Sequence, residues 1–192
     1  MASIRSALGI RMLGLLLPVS LLAAADQEAS LSAVRKFQKI GAGEYPSGTS
    51  VVVTQHEMNA FLQFHAAAAI PEGVRNPELE FRNGGAVIKA LVDLEKAGAS
   101  AEDLPVLMRL LLRGERNIAV DVDYAVSDGH AVTKVVSLTI EESQISGAVM
   151  EWFLDSFAPA ELRPYLTGER AIRQAGVREA ALEPGRAVVV VE

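Results

Sequence analysis

The sequence predicts an α+β fold, in which a curved antiparallel sheet of about seven strands, built from three β-hairpins, carries about four helices. One recurring phrase announces the hairpins: Phe81-Arg82-Asn83-Gly84-Gly85-Ala86-Val87, Val126-Ser127-Asp128-Gly129-His130-Ala131-Val132 and Leu182-Glu183-Pro184-Gly185-Arg186-Ala187-Val188. Asn-Gly, Asp-Gly and Pro-Gly supply the preset or positive φ that a tight turn requires, and alternating residues flank each of them. Between the hairpins, apolar residues return at helical spacing instead. Strands that pair with their sequence neighbours make an antiparallel sheet, and helices interspersed among them make the class α+β. The unequal spacing of the three phrases marks recurring local chemistry and not a solenoid.

Residues 1–25 hold Arg5 and Arg11 and no acid, then an apolar run from Met12 to Leu22, then Ala23-Ala24-Ala25 before the first acid, Asp26. That order is the one a secretory signal peptide uses, so cleavage is expected after Ala25 and a periplasmic or secreted location follows. Pro18 interrupts the apolar run, which is shorter than the ~20 residues a spanning helix needs. An uncleaved anchor is the alternative reading. Residues 26–192 are then a single domain with no membrane span. The chain has no cysteine, so neither disulfides nor thiolate metal sites contribute. All 24 acids follow the leader, against 16 basic residues, and the net charge there is near −8. Nucleic acid is not an expected partner, because phosphate binding needs clustered Lys and Arg.

Leu31, Val34 and Phe37 stand three apart with Arg35, Lys36 and Lys39 opposite, which predicts an amphipathic helix over Ser30–Ile40, ended by Gly41. A loop to Thr49 leads to a strand at Ser50–Val53. Thr54-Gln55-His56-Glu57 is a capping box, opening a helix from Gln55 to about Ala67 that buries Met58, Phe61, Leu62 and His65. The first hairpin pairs Glu78–Arg82 with Ala86–Glu95, the latter putting Ile88, Ala90, Val92 and Leu94 on one face. Ser100 opens a third helix that is apolar around most of its circumference, from Leu104 to Leu112, and Gly114 stops it. In the second hairpin Ile118, Val120, Val122, Tyr124 and Val126 alternate with polar residues. Its return strand, Ala131–Glu141, reads as apolar at Val132, Val136, Leu138 and Ile140, with Val135 on the other face. Ser146 caps a fourth helix, Gly147–Phe157, and Ala158–Gly176 reads as a short helical turn plus irregular chain. The third hairpin, Val177–Leu182 with Ala187–Val191, closes the chain.

Catalytic patterns are sparse. His56, His65 and His130 form no metal-ligand motif, so no metal is expected, and no Walker loop, nucleophile elbow or dinucleotide fingerprint points to a cofactor. Asp121 with Asp123, and Asp93 with Glu95, project in pairs from one strand face, a spacing that could suit a glycosidase; a solvated sheet face shows the same pattern. Glu57 and Asn59 are the other polar candidates. Glu57 is already employed as a cap, and Asn59 either faces water or bridges to a neighbouring strand.

The apolar helices are the more informative feature. Leu107, Leu111, Met150, Phe153 and Phe157 could line a pocket for an acyl chain, with Phe61 and Leu62 at one end; ordinary core is the competing reading. The phrase Val51-Val52-Val53-Thr54-Gln55-His56-Glu57-Met58-Asn59-Ala60-Phe61-Leu62, continuing through Ile70-Pro71-Glu72-Gly73-Val74 to a final Pro-Gly-Arg-Ala-Val strand, resembles a family of uncharacterised bacterial exported domains over most of residues 30–191. The architecture is similar to that of tubular lipid-binding (TULIP-like) proteins. That resemblance implies a groove for lipid and brings no catalytic residues. The chain is one short module where many such carriers use a larger or doubled one, which implies a shallow groove or a homodimer. The expectation is therefore an exported, non-enzymatic protein binding an apolar or amphiphilic ligand. A protein-interaction module with a closed core is the alternative, and a carboxylate-dependent hydrolase the third reading.

Overall fold

The computed structural model describes residues 13–93, 96, 114–145, 147, 150, 151, 154, 160, 161 and 163–192, with side chains from Ala24 onward except that of Ala69. The class is α+β, with one antiparallel sheet. Helix α1 (Leu13–Gly41) precedes strand β1 (Ser50–Thr54) and helix α2 (Gln55–Phe64), and a 3₁₀ turn (Ala67–Ala69) follows. The three expected hairpins are β2 (Val74–Arg82) with β3 (Gly85–Asp93), β4 (Glu115–Ser127) with β5 (His130–Ile140), and β8 (Val177–Glu183) with β9 (Arg186–Val191). Two short strands, β6 (Ser143–Ile145) and β7 (Ile172–Arg173), pair with β5, so the sheet has nine strands and not seven. A one-turn helix, α3 (Arg163–Leu166), lies where a short helical turn was expected. The helices expected over residues 100–113 and 147–157 fall largely outside the described residues. Among the described residues no helix is long and apolar enough to cross a membrane.

Strand β4 organises the sheet. One of its edges pairs with β5, and the other with β3 from Glu115 to Asp123. Past the β2–β3 turn that second edge meets β8, with Val126 opposite Ala180. The order is thus β1-β9-β8-β4-β3-β2, and β1 takes β9 as its strand partner, with Ser50 opposite Val190. The hairpin turns are sewn into this arrangement. Gly84 donates its N–H to Leu182 O, Gly129 donates to Arg178 O, and Gly185 O accepts from Gln55 N at the start of α2. At the second turn Asp128 and Gly129 both have positive φ, as a type I′ turn demands.

Three expectations about which faces are buried need correction, the first being His65, which is exposed just past the end of α2 and not buried on it. In β5, Val132 and Val136 are exposed whereas Val135 is buried with Leu138 and Ile140. The cause is a bulge: Asp121 faces Ser137 and Val122 faces Val135, so Val136 is an extra residue and the inward phase changes there. In α1, Leu31 is exposed, and the buried positions are Ser30, Ala33 and Ile40. Small residues are needed there because α1 crosses α2 closely at the equally buried Ala60. Phe37 then meets Phe61 edge-on, with ring centroids 5.3 Å apart.

The inward face of the sheet supplies the main core, Val53, Phe81, Ala86, Val122, Val135, Leu182 and Ala187, drawn from seven strands. A second cluster, Val92, Ile118, Leu138 and Ile140, fills the far end of the β3–β4–β5 ladder. Outside the core, Arg82 forks between Asp121 and Asp123, donating to each at 2.7 Å. Its guanidinium lies over Gly85, where a Cβ would stand 2.7 Å from Arg82 Cζ and 2.2 Å from Val122 O. Gly85→Ala should therefore cost about 3 kcal/mol through strand displacement. Gly84→Ala, with φ +71° but open space around it, should cost about 1 kcal/mol. Urea unfolding of both variants checks the ranking, and equal costs would remove the steric account of Gly85.

Candidate functional site

The helical layer is fixed to the sheet by one carboxylate. Thr54 caps α2 as the capping box predicts: Glu57 N–H donates to Thr54 Oγ1, and Thr54 N–H donates to Glu57 Oε2 at 2.8 Å. Glu57 has a second role. Its carboxylate also accepts from Ser32 Oγ at 2.6 Å and from Lys36 Nζ at 2.7 Å, both on α1. Lys36, expected on the solvent side of its helix, is turned inward and donates as well to Val52 O of β1 at 2.6 Å. Burial alone would raise the Glu57 pKa, but the hydrogen bonds from Lys36, Ser32 and Thr54, together with the Lys36 charge, hold it at about 2.

Helix α2 is joined to β2 by side-chain amides one turn apart. Asn59 Oδ1 accepts from Leu79 N at 2.7 Å, its Nδ2 donates to Leu79 O, and Gln55 Oε1 accepts from Phe81 N. These groups complete the outer edge of β2 as a neighbouring strand would. Asn59 is thus the bridge to a strand that the sequence left open as one of two readings.

Held this way, α1 and α2 roof a hollow of about 560 Å³ over the sheet. Phe37 and Met58 come from the helices, and Leu79, Phe81, Val122 and Leu182 from the sheet; Ile88, exposed at 39%, stands where the hollow meets solvent. No charged side chain is among its described lining residues. Its polar side chains there are Tyr124, Thr133 and Gln174. Tyr124 lies opposite Thr133 in the β4–β5 ladder. Burial pushes the Tyr124 phenol above its ordinary value.

The residues expected to line a pocket are distributed as follows. Met150 packs against the main core cluster. Phe61 meets Phe37, and its ring stacks on His65. Leu62 borders a different depression, of about 710 Å³, with Asn59, Ile70 and Glu78. Leu107, Leu111, Phe153 and Phe157 lie outside the described residues. Tyr124 and Phe37 were missed as lining; the signal for Tyr124 was its place as the one phenol on an inward strand face of Ile and Val. The carboxylates of Asp121 and Asp123 share one guanidinium, which gives the two groups similar surroundings. Among the histidines, His65 Nδ1 lies 2.6 Å from Ser30 Oγ and His130 Nδ1 lies 2.8 Å from Asp128 O.

Compared with known proteins, the chain matches no family model, no curated protein and no solved structure.

The pKa of Glu57 is depressed in the fold relative to its ordinary value of 4.5, so its stabilisation is full above about pH 5 and is lost as the pH falls toward about 2. Glu57→Gln should cost about 2 kcal/mol at neutral pH, because the Lys36 ammonium loses its counter-charge. It should also flatten the acid limb of the stability curve. Unfolding midpoints of both proteins between pH 7 and about 2 check this, and an unchanged acid limb would remove Glu57 as its source.

Proposed function

We propose that this is an exported, non-enzymatic protein that binds an apolar or amphiphilic ligand, a lipid by preference, between its helices and its sheet. The observation that supports it is the hollow beneath α1 and α2. Its volume, about 560 Å³, falls within the range of small-molecule pockets, and its described lining is apolar with a few convergent polar groups. Desolvating an acyl chain there would gain roughly 25 cal/mol for each Å² removed from water. The export part of the proposal rests on the leader pattern of residues 1–25. Kinship with tubular lipid-binding proteins is part of the same proposal, supported by an antiparallel sheet that carries helices on its apolar face.

The alternative, a protein-interaction module, draws its support from Val132 and Val136, exposed at 40% and 41% on the outward side of β5. A hydrolase acting through Asp121 and Asp123 is disfavoured by their common tie to Arg82, because acid and base roles need carboxylates in opposed environments.

Ala180 shares the inward side of β8 with Leu182 and lines the hollow. Ala180→Phe should fill the space and reduce binding of a fluorescent apolar probe such as phenylnaphthylamine at least tenfold, with the unfolding midpoint shifted by less than about 1 kcal/mol. In a closed core the same substitution should cost about 1–3 kcal/mol, and the unsubstituted protein should not bind the probe. Fluorescence titration beside urea unfolding separates the two.

A further inference from the structure

We propose that the hollow selects ligands whose buried end carries an uncharged hydrogen-bonding group, an alcohol, amide or ester, with Tyr124 and Thr133 as the groups that recognise it. This deepens the ligand-binding reading above and rests on it.

The argument begins with charge. A carboxylate or phosphate taken into an apolar enclosure must be paired, since the effective penalty for an unpaired ion is several kcal/mol. No Lys or Arg is among the described residues lining the hollow. Of the bases adjoining lining residues, Arg82 and Lys36 are committed to Asp121 with Asp123 and to Glu57, and Lys39, Lys89, Lys134, Arg173, Arg178 and Arg186 are not themselves among the lining residues. An ionised head group would therefore gain nothing by entering, and an acid would have to leave its head in water.

Neutral polar groups meet the opposite situation. Tyr124 and Thr133 are cross-strand partners whose side chains share a face, and both line the hollow. Gln174 brings an amide to the same hollow, its backbone fixed by donation to Gly129 O. None of these three side chains has a hydrogen-bond partner among the described residues, and their polar atoms are within reach of water that a ligand group would replace. The raised pKa of Tyr124 keeps its phenol a donor throughout the physiological range. A donor and acceptors without protein partners, set in an apolar wall, are the few polar groups that orient a ligand in such a site.

Dodecanol, dodecanoate and dodecane, competing against phenylnaphthylamine at pH 8, test the idea on the protein as purified from its host. Dodecanol should displace the probe at a concentration about tenfold below that needed by dodecanoate or dodecane. In Tyr124→Phe, which keeps the ring and its packing, dodecanol should lose about tenfold while dodecane is unchanged. Thr133→Val should weaken dodecanol in the same sense. Dodecanoate binding as tightly as dodecanol, or Tyr124→Phe and Thr133→Val leaving dodecanol unaffected, would overturn the selectivity while leaving an apolar binding site intact. If the probe itself does not bind, the ligand-binding reading fails and this inference fails with it.

Discussion

Taking a carboxylate out of water is unfavourable, and Glu57 survives burial because donors from three residues converge on it. Ser32 and Lys36 reach it from α1, and the backbone and hydroxyl of Thr54 reach it from the end of β1. The capping box alone would hold α2 to its own first turn. Adding the Lys36 ammonium makes the same oxygens the point where both helices and the first strand are referenced to one another. Lys36 extends the reference to the strand backbone through Val52 O. Apolar contact is less directional, and the edge-on Phe37–Phe61 pair alone would tolerate small shifts of one helix against the other. Charge-assisted hydrogen bonds of 2.6–2.8 Å are short and directional, and they set the register that the aromatic packing then fills.

The same economy governs the edges of the sheet, whose unpaired N–H and C=O groups invite association with other chains. The outer edge of β2 is occupied by Gln55 and Asn59, and Pro77 has no N–H to offer. The outer edge of β5 is met by β6 at one end, by β7 at the other, and by a bridge between Lys134 and Thr167 between them. On β1, Lys36 takes the Val52 carbonyl. Each device spends a polar side chain or a short segment in place of another strand, and this leaves the inward face of the sheet free to be roofed by helices.

Much of this was legible in the sequence where the signal is local. Turn dipeptides gave all three hairpins, and Thr54 with Glu57 gave the start of α2. The β5 bulge was not legible, because an extra residue at Val136 changes the inward phase without altering the run of apolar residues on either side. Strands as short as β7 carry no period to read. In α1 the apolar spacing pointed to Leu31, but close approach to α2 favoured Ser30 and Ala33, a preference set by the neighbour and not by the helix. The hollow draws its lining from helices and seven strands that are distant in sequence, so Phe37 and Tyr124 had no common local signature. Phe61 and Leu62 were assigned to one end of a pocket on helical spacing alone, which cannot tell a helix's sheet-facing side from its helix-facing side.

The pairing of β1 with β9 has a consequence for how the chain must assemble. The hairpins can each form from neighbouring residues within microseconds. The first strand, however, meets its partner only after the last hairpin exists, and the start of α2 waits for Gly185. Closure across nearly the whole chain makes contact order high and folding slow relative to local events. During synthesis β1 would remain without its strand partner until the final residues emerge, and a chain halted anywhere before Arg186 would lack that closure of the sheet.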